Sequence, residues 1–423
     1  MSNYFDEAVK HICESIRFDS SLGTHTSKNP FGKGAADCLN HFLDLATSLG
    51  FETHNYDNYV GEVIYGEGEE FAILCHLDVV PAGDGWTKDP FGGVIEDGKI
   101  WGRGTTDDKG PAICSLYALK ALKDKGFVPN KKIKLIVGCN EESGWGCIEH
   151  YNEVAHMPEI GFSPDADFPV IYAEKGIIHL RLHFPVEGRA PFLHLEGGKQ
   201  ANMVCDRCEA TPRSLTVTKA RELGLTVEKK RIIAYGKSAH GSTPDLGENA
   251  ILPILKFFEG KHPVIKRIID CLFDDIYGLR ELEDETGKLT MSPNVIKFRK
   301  GQILVLVDIR YPATIPAEQV FEKIKKMEVV YENVHMQAPL YHDKNSELIQ
   351  TLLSTYEECT GKKAEPIAIG GGTYARALKQ GVGFGPEMPG DTPCIHMADE
   401  YISLDRVQLL LDVYEKAIER LTK

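Results

Sequence analysis

The run Phe71-Ala-Ile-Leu-Cys75 is short, continuous and apolar, and it ends in His76-Leu-Asp78. A run of this kind reads as a buried strand. Two more apolar runs end in acidic residues. Lys132–Cys139 leads through Asn140 into Glu141-Glu142, and Ile160-Gly-Phe-Ser163 leads into Pro164-Asp165. In an open α/β sheet, ligands gather at the carboxyl ends of the strands. An imidazole and several carboxylates delivered to one sheet edge predict a metal site.

The rest of the first 175 residues fits such a sheet. Residues 4–16 place Phe5, Val9, Ile12 and Ile16 on one helical face, and residues 35–49 repeat the pattern before Gly50 stops it. Strands are expected near 51–54 and 60–65. Gly92–Trp101 reads as a hairpin with an Asp97-Gly98 turn. Gly102-Arg-Gly-Thr-Thr-Asp107-Asp108-Lys-Gly110 is a tight loop opening a helix over 111–122. A strand at 133–139 and a helix near 145–153 follow. Alternating strands and helices predict a three-layer α/β domain.

After Lys175-Gly176 the pattern changes. Ile178–Phe184 alternates, strands are expected near 214–218, 231–235 and 303–310, and helices near 250–258, 264–273 and 316–326. This reads as an α+β insert. A helix over 345–359, a strand over 366–369 and Gly370-Gly-Gly372 come next. A closing helix then puts Leu404, Val407, Leu411, Tyr414, Ile418 and Leu421 on one face.

The 423 residues suggest two or three domains, and 48 Lys and Arg against 62 Asp and Glu leave a net charge of −14. That balance argues against nucleic acid or an anionic membrane as partner. No run approaches the ~18 apolar residues of a membrane span. The start, Met1-Ser-Asn-Tyr-Phe-Asp-Glu7, has neither the basic region nor the apolar core of a signal peptide, so a cytoplasmic location is expected. Most of the eleven cysteines fall in apolar patterns, as reduced core thiols do. Cys205-Asp-Arg-Cys208 has C-x-x-C spacing, but a single pair with no nearby histidine is weak evidence for zinc or redox chemistry.

A two-metal hydrolytic site needs His and carboxylate ligands, one bridging carboxylate, and a general base that is not itself a ligand. His76 and Asp78 are two apart on an extended stretch and so face one side. One suits a ligand and the other a group that orients it. Each acidic stretch also has an ordinary reading. Asp107-Asp108 would suit a helix start, Glu141-Glu142 a solvated turn, and Asp165 a cap. Adjacent carboxylates repel unless a cation or proton neutralises one of them. The order of the stretches carries the argument: strand–H-x-D, Gly-rich D-D-K-G, strand–E-E-x-G, strand–P-D, then a late His396.

In that order the sequence resembles the aminoacylase-type dinuclear zinc exopeptidases, and most of all the bacterial peptidase V and Sapep-type dipeptidases. The stretches concerned are Leu74–Pro81, Gly85–Phe91, Gly102–Pro111, Asn140–Gly144, Ser163–Asp167 and Gly370–Arg376. The resemblance implies a three-layer α/β, phosphorylase/hydrolase-like zinc-exopeptidase domain at 1–176 and 337–423, with an inserted α+β lid domain at 177–336. It implies that Asp107 bridges two divalent ions, Zn²⁺ or Mn²⁺, with His76 and Asp165 on one and Glu142 and His396 on the other. Glu141 would be the general base, Asp78 the partner of His76, and His240 the oxyanion stabiliser. Asn202, Arg310 and the Gly371-Gly372-Thr373 backbone would hold the terminal carboxylate of a dipeptide. The Asp107–Asp108 peptide would be cis.

The function so implied is a metal-dependent dipeptidase. A deacylase or desuccinylase acting on N-acyl amino acids would use the same metal core, and a non-catalytic homologue would lack Glu141 or a ligand. A ~160-residue insert is compatible with a monomer or a homodimer, and the dipeptidase-like motifs favour His240 acting within its own chain.

Overall fold

The computed structural model describes residues 4–423. Up to residue 163 the elements are α1 (Phe5–Ile16), α2 (Lys33–Ser48), β1 (Glu52–Tyr56), β2 (Val60–Tyr65), β3 (Glu69–His76), β4 (Val94–Glu96), β5 (Lys99–Trp101), α3 (Lys109–Asp124), β6 (Lys131–Gly138), α4 (Gly146–Val154) and β7 (Ile160–Ser163). The chain divides into two units. One holds residues up to 172 with 342–367 and 373–423; the other holds 173–341 with 368–372.

In the first unit the sheet runs β1-β2-β6-β3-β7, then the strand Gln380–Gly383 and the strand beginning at Ile171. β3 lies parallel to both β6 and β7, and β7 is parallel to Gln380–Gly383. β3 is central, and its last six residues are all buried. Ala72 and Leu74 face one layer with Cys147, Ile148 and Tyr151 of α4. The opposite face meets α3 and the closing helix Leu404–Leu421, where Phe162 of β7 packs on Tyr414. Thirteen of the sixteen residues of α3 are buried, the mark of a helix enclosed on several sides. The expected α/β architecture is present.

Gly138, the last residue of β6, allows a close approach. A Cβ there would lie 2.0 Å from the hydroxyl of Tyr374. Tyr374 in turn stands edge-on to the His76 ring, with centroids 6.1 Å apart.

The second unit is an eight-stranded antiparallel sheet. Its strands run in the order Thr226–Glu228, Arg231–Tyr235, Arg207–Pro212, Phe192–Gly197, Thr290–Arg299, Gln302–Tyr311, Gly176–Pro185, Val330–Gln337. Ile178, Leu180, Leu182 and Phe184 join one core with the helices Ile251–Phe258 and Pro263–Leu272. The alternation read over 178–184 is therefore a strand with one face on that core.

One expectation is corrected. No strand occupies 214–218. The strand ends at Pro212, and a helix, Val217–Glu222, follows. The β-branched Thr216-Val-Thr218 looks strand-like, but Ala220 is buried in the core with Leu215 and Leu223 packed against it, and Gly224 follows in a left-handed turn.

Candidate metal centre

The centre is built on His76. Its ring is fully buried, and Nδ1 lies 3.0 Å from the backbone carbonyl of Asp78. A carbonyl only accepts, so Nδ1 carries a proton and Nε2 is the position left for a ligand bond. Asp107, Asp165 and Asp78 outweigh burial and raise the ring's pKa well above the ordinary histidine value, so a positive charge is favoured there. That Nε2 is buried and makes no hydrogen bond. Yet it stands 2.9 Å from Asp107 Oδ1 and 3.7 Å from Asp165 Oδ2. An imidazole nitrogen set among carboxylates at such distances calls for positive charge there, which a proton or a metal ion supplies. The donors fit a metal ion: ligand atoms of His76, Asp107 and Glu142 lie within 4.8 Å of one another, as do those of His76, Glu141 and Asp165. Imidazole with carboxylate oxygens suits zinc or manganese.

His396 completes the cluster from the far end of the chain. Its Nε2 is 2.9 Å from both Asp107 Oδ2 and Glu142 Oε1. Asp107 therefore has one oxygen toward each histidine, the arrangement of a bridging ligand. The Asp107–Asp108 peptide is cis, as the resemblance implies.

Asp78 is engaged differently from a simple ring partner. Its carboxylate is 3.5 Å from His76 Nδ1 and accepts the backbone amides of Glu141 (3.0 Å) and Glu142 (3.1 Å). Asp78 thus holds His76 mainly through its carbonyl, while its carboxylate fixes the turn carrying both glutamates. The Trp145 indole N–H donates to Glu141 Oε1 at 3.0 Å.

The charges bear on one another. Burial raises Glu141 well above the usual carboxylate range, and Asp165 and Glu142 raise it further. Burial and Asp107 push Glu142 up to about 7, against the pull of His396. Burial also raises Asp165. His396 opposes its own burial through Asp107 and Glu142 and is raised to about 11. Acids driven toward protonation and an imidazole driven toward charge are the signs of a site short of positive charge.

The glycine-rich loop is placed by groups outside the cluster. Gly104 adopts a φ of +92°, which glycine takes at no cost. Lys109, fully buried, donates to the carbonyls of Ser15 (3.2 Å) and Phe18 (2.7 Å) around the end of α1. Asp108 Oδ2 accepts the His76 amide at 3.0 Å. The lysine and second aspartate of D-D-K-G thus anchor the loop.

All but Thr373 of the remaining expected residues fall in the second unit. Asn202 is exposed, and its carbonyl accepts the Gly241 amide at 2.7 Å. His240, also exposed, has Nδ1 2.7 Å from Ser242 Oγ. A Cβ on Gly370 would lie 2.7 Å from that of Ser242. Buried Arg310 donates Nη1 to the Gly370 carbonyl at 3.1 Å, and Nε and Nη2 to Asp308 at 2.7 and 2.9 Å. Gly371 and Gly372 belong to this unit, whereas Thr373 belongs to the first and caps a short 3₁₀ turn by accepting from Ala375 N.

The model of peptidase family M20/M25/M40 matches residues 72–420. The chain belongs to this family. Among M20 relatives, YtjP of Bacillus subtilis strain 168 is 36% identical over 455 residues, covering 99% of this chain and 98% of its own. A Beta-Ala-Xaa dipeptidase of Lactobacillus delbrueckii subsp. lactis is 35% identical, with 99% and 96% covered. Human carnosine dipeptidase 1 shares the fold, with a TM-score of 0.62 at 15% identity over 99% of this chain and 96% of that one.

Sequence reading of this M20 chain passed over Trp145, Tyr374 and Glu400, all of which touch ligand-bearing segments. An aromatic or lone acid distant in sequence gives no local signal.

Proposed function

We propose that the protein is a metal-dependent dipeptidase that hydrolyses free dipeptides in the cytoplasm and holds two divalent ions, Zn²⁺ or Mn²⁺, per chain. The observation that carries this reading is the buried, unbonded His76 Nε2 set among carboxylates, in a chain related over nearly its whole length to a Beta-Ala-Xaa dipeptidase. His76, Asp107 and Asp165 would hold one ion, and Asp107, Glu142 and His396 the other. When bound, such ions polarise a carbonyl and bring the pKa of water near neutrality.

This chain's residues do the rest. Glu141 takes the proton of the attacking water and passes it to the leaving amine. Trp145 keeps the glutamate aimed by holding one of its oxygens. His240 donates to the oxygen of the developing tetrahedral centre. Arg310, Asn202 and the backbone of Gly371, Gly372 and Thr373 hold the substrate's terminal carboxylate, and the second unit serves as the lid that supplies most of these groups. Arg310 suits a carboxylate because its fork offers parallel donors, and Asp308 holds that fork in place.

The test is apo protein loaded with Zn²⁺ or Mn²⁺ and offered dipeptides, tripeptides and N-acyl amino acids. Turnover confined to dipeptides is expected. Preference for N-acyl amino acids would make it a deacylase instead.

A further inference from the structure

Glu400 lies four residues beyond His396 and just before the closing helix. Its side chain is fully buried. One oxygen accepts from Arg103 Nη1 at 2.6 Å. The other faces three backbone amides of the glycine-rich loop, those of Gly104 (3.0 Å), Thr106 (3.1 Å) and Asp107 (3.4 Å). The Glu400 carbonyl accepts the Gly102 amide at 2.9 Å, and Thr106 Oγ1 donates to the Tyr401 carbonyl at 2.8 Å.

A carboxylate this deeply buried is kept only where donors compensate its lost hydration. Pairing with Arg103 accounts for one oxygen. The second is spent on a loop that ends at Asp107, and every contact named joins residues 102–107 to residues 400–401. His396 depends on its flanking segment for its placement, because a non-glycine residue keeps a left-handed backbone only where its surroundings hold it. Its side chain is 49% exposed and its backbone has a φ of +60°. The approach of His396 to Asp107, at 2.9 Å, is therefore set by how the two segments are tied together.

We propose that Glu400 is a positioning residue: its amide cradle locks the Asp107 loop to the His396 segment and so fixes the spacing of two metal donors. The proposal rests on the metal-centre reading given above. Groups that orient metal ligands from behind are worth about 10–100-fold in metal affinity.

The test measures Mn²⁺ and Zn²⁺ affinity by competition with a chelator, alongside thermal melting of the apo protein, for the parent protein, Glu400→Gln and Arg103→Met. In Glu400→Gln the amide group offers one acceptor where two are needed. Its metal affinity is expected to fall about 10–100-fold, with activity returning at saturating metal. Arg103→Met leaves the cradle in place and is expected to lose less. Unchanged metal affinity in folded Glu400→Gln overturns the proposal. So does an equal loss in Arg103→Met, which would make the ion pair the cause. If Glu400→Gln does not fold, Glu400→Asp keeps the charge and shortens the reach, and unchanged affinity there overturns it as well. A parent protein that binds neither ion fails at the metal-centre reading itself, and the proposal falls with it.

Discussion

Glu141 and Glu142 are adjacent in sequence yet face different neighbours, and this separates their roles. Glu142 meets His396, whereas Glu141 has one oxygen on the Trp145 indole and clusters with His76 and Asp165. Glu141→Gln is expected to retain its metal content while kcat falls by about 10²–10⁴-fold, the worth of a positioned base. Metal analysis beside steady-state kinetics checks it, and near-normal turnover would remove Glu141 from the mechanism. Trp145→Phe tests the same residue more gently. The indole N–H favours the ionised carboxylate, so losing it raises the Glu141 pKa. The acid limb of kcat/KM should then move to higher pH by about 1–2 units, taking about 1.5–3 kcal/mol for a hydrogen bond to a charged group. An unmoved limb would mean that another group sets it. His240→Ala should lower kcat by about 10²–10³-fold, as loss of one oxyanion donor does, with bound metal unchanged.

At the scale of elements, the three strands that carry the candidate ligands were legible because each is an apolar run with polar residues at one end. β3, β6 and β7 all appear where such runs lie, and the parallel pairing of β3 with its neighbours brings His76, Glu141-Glu142 and Asp165 to one edge. Other strands were not legible. Thr290–Arg299 carries Pro293, which lowers its claim to be a strand, yet it pairs along its length with Gln302–Tyr311 and absorbs the proline at a register shift. The strand Gln302–Tyr311 holds Asp308 and Arg310 on one face, and both are buried. Burial works against the Asp308 charge, but His179 and Arg310 outweigh it and keep its pKa below the usual carboxylate value. A folded-state pKa below the unfolded one contributes stability above the unfolded value, about 3.9, and loses it as pH falls through the folded pKa. Asp308→Asn should therefore flatten the acid limb of stability below about pH 4, measured by denaturant unfolding across pH. Asp308→Ala leaves Arg310 buried without its main partner and should cost about 3–5 kcal/mol. It should also raise KM for dipeptides more than it lowers kcat, because the guanidinium loses its aim. An unchanged KM would separate Arg310 from substrate binding.

At the scale of the whole molecule, the candidate metal centre draws together the outer reaches of the chain. His76, Asp107, the two glutamates and Asp165 come from the first 165 residues, while His396 arrives after the second unit has intervened. Four carboxylates meet two imidazoles in a largely buried place: burial and Asp107 push Glu142 up to about 7, while Asp107 and Glu142 outweigh burial and hold His396 toward its charged form. Ions bound as proposed would offset the repulsion among the carboxylates, and because the unfolded chain does not assemble the site, their binding energy would add to folding. At a free metal concentration 1,000 times Kd the gain is about 4.1 kcal/mol for one site. Chelation should accordingly lower the melting temperature of the unit that carries the ligands, with readdition of Mn²⁺ or Zn²⁺ restoring it in step with activity. The second unit has its own sheet and core and supplies none of these ligands, so its unfolding should respond less. Calorimetry with and without chelator checks this. Two transitions, of which only one moves with metal, are expected, and two that shift equally would mean that metal binding stabilises both units together.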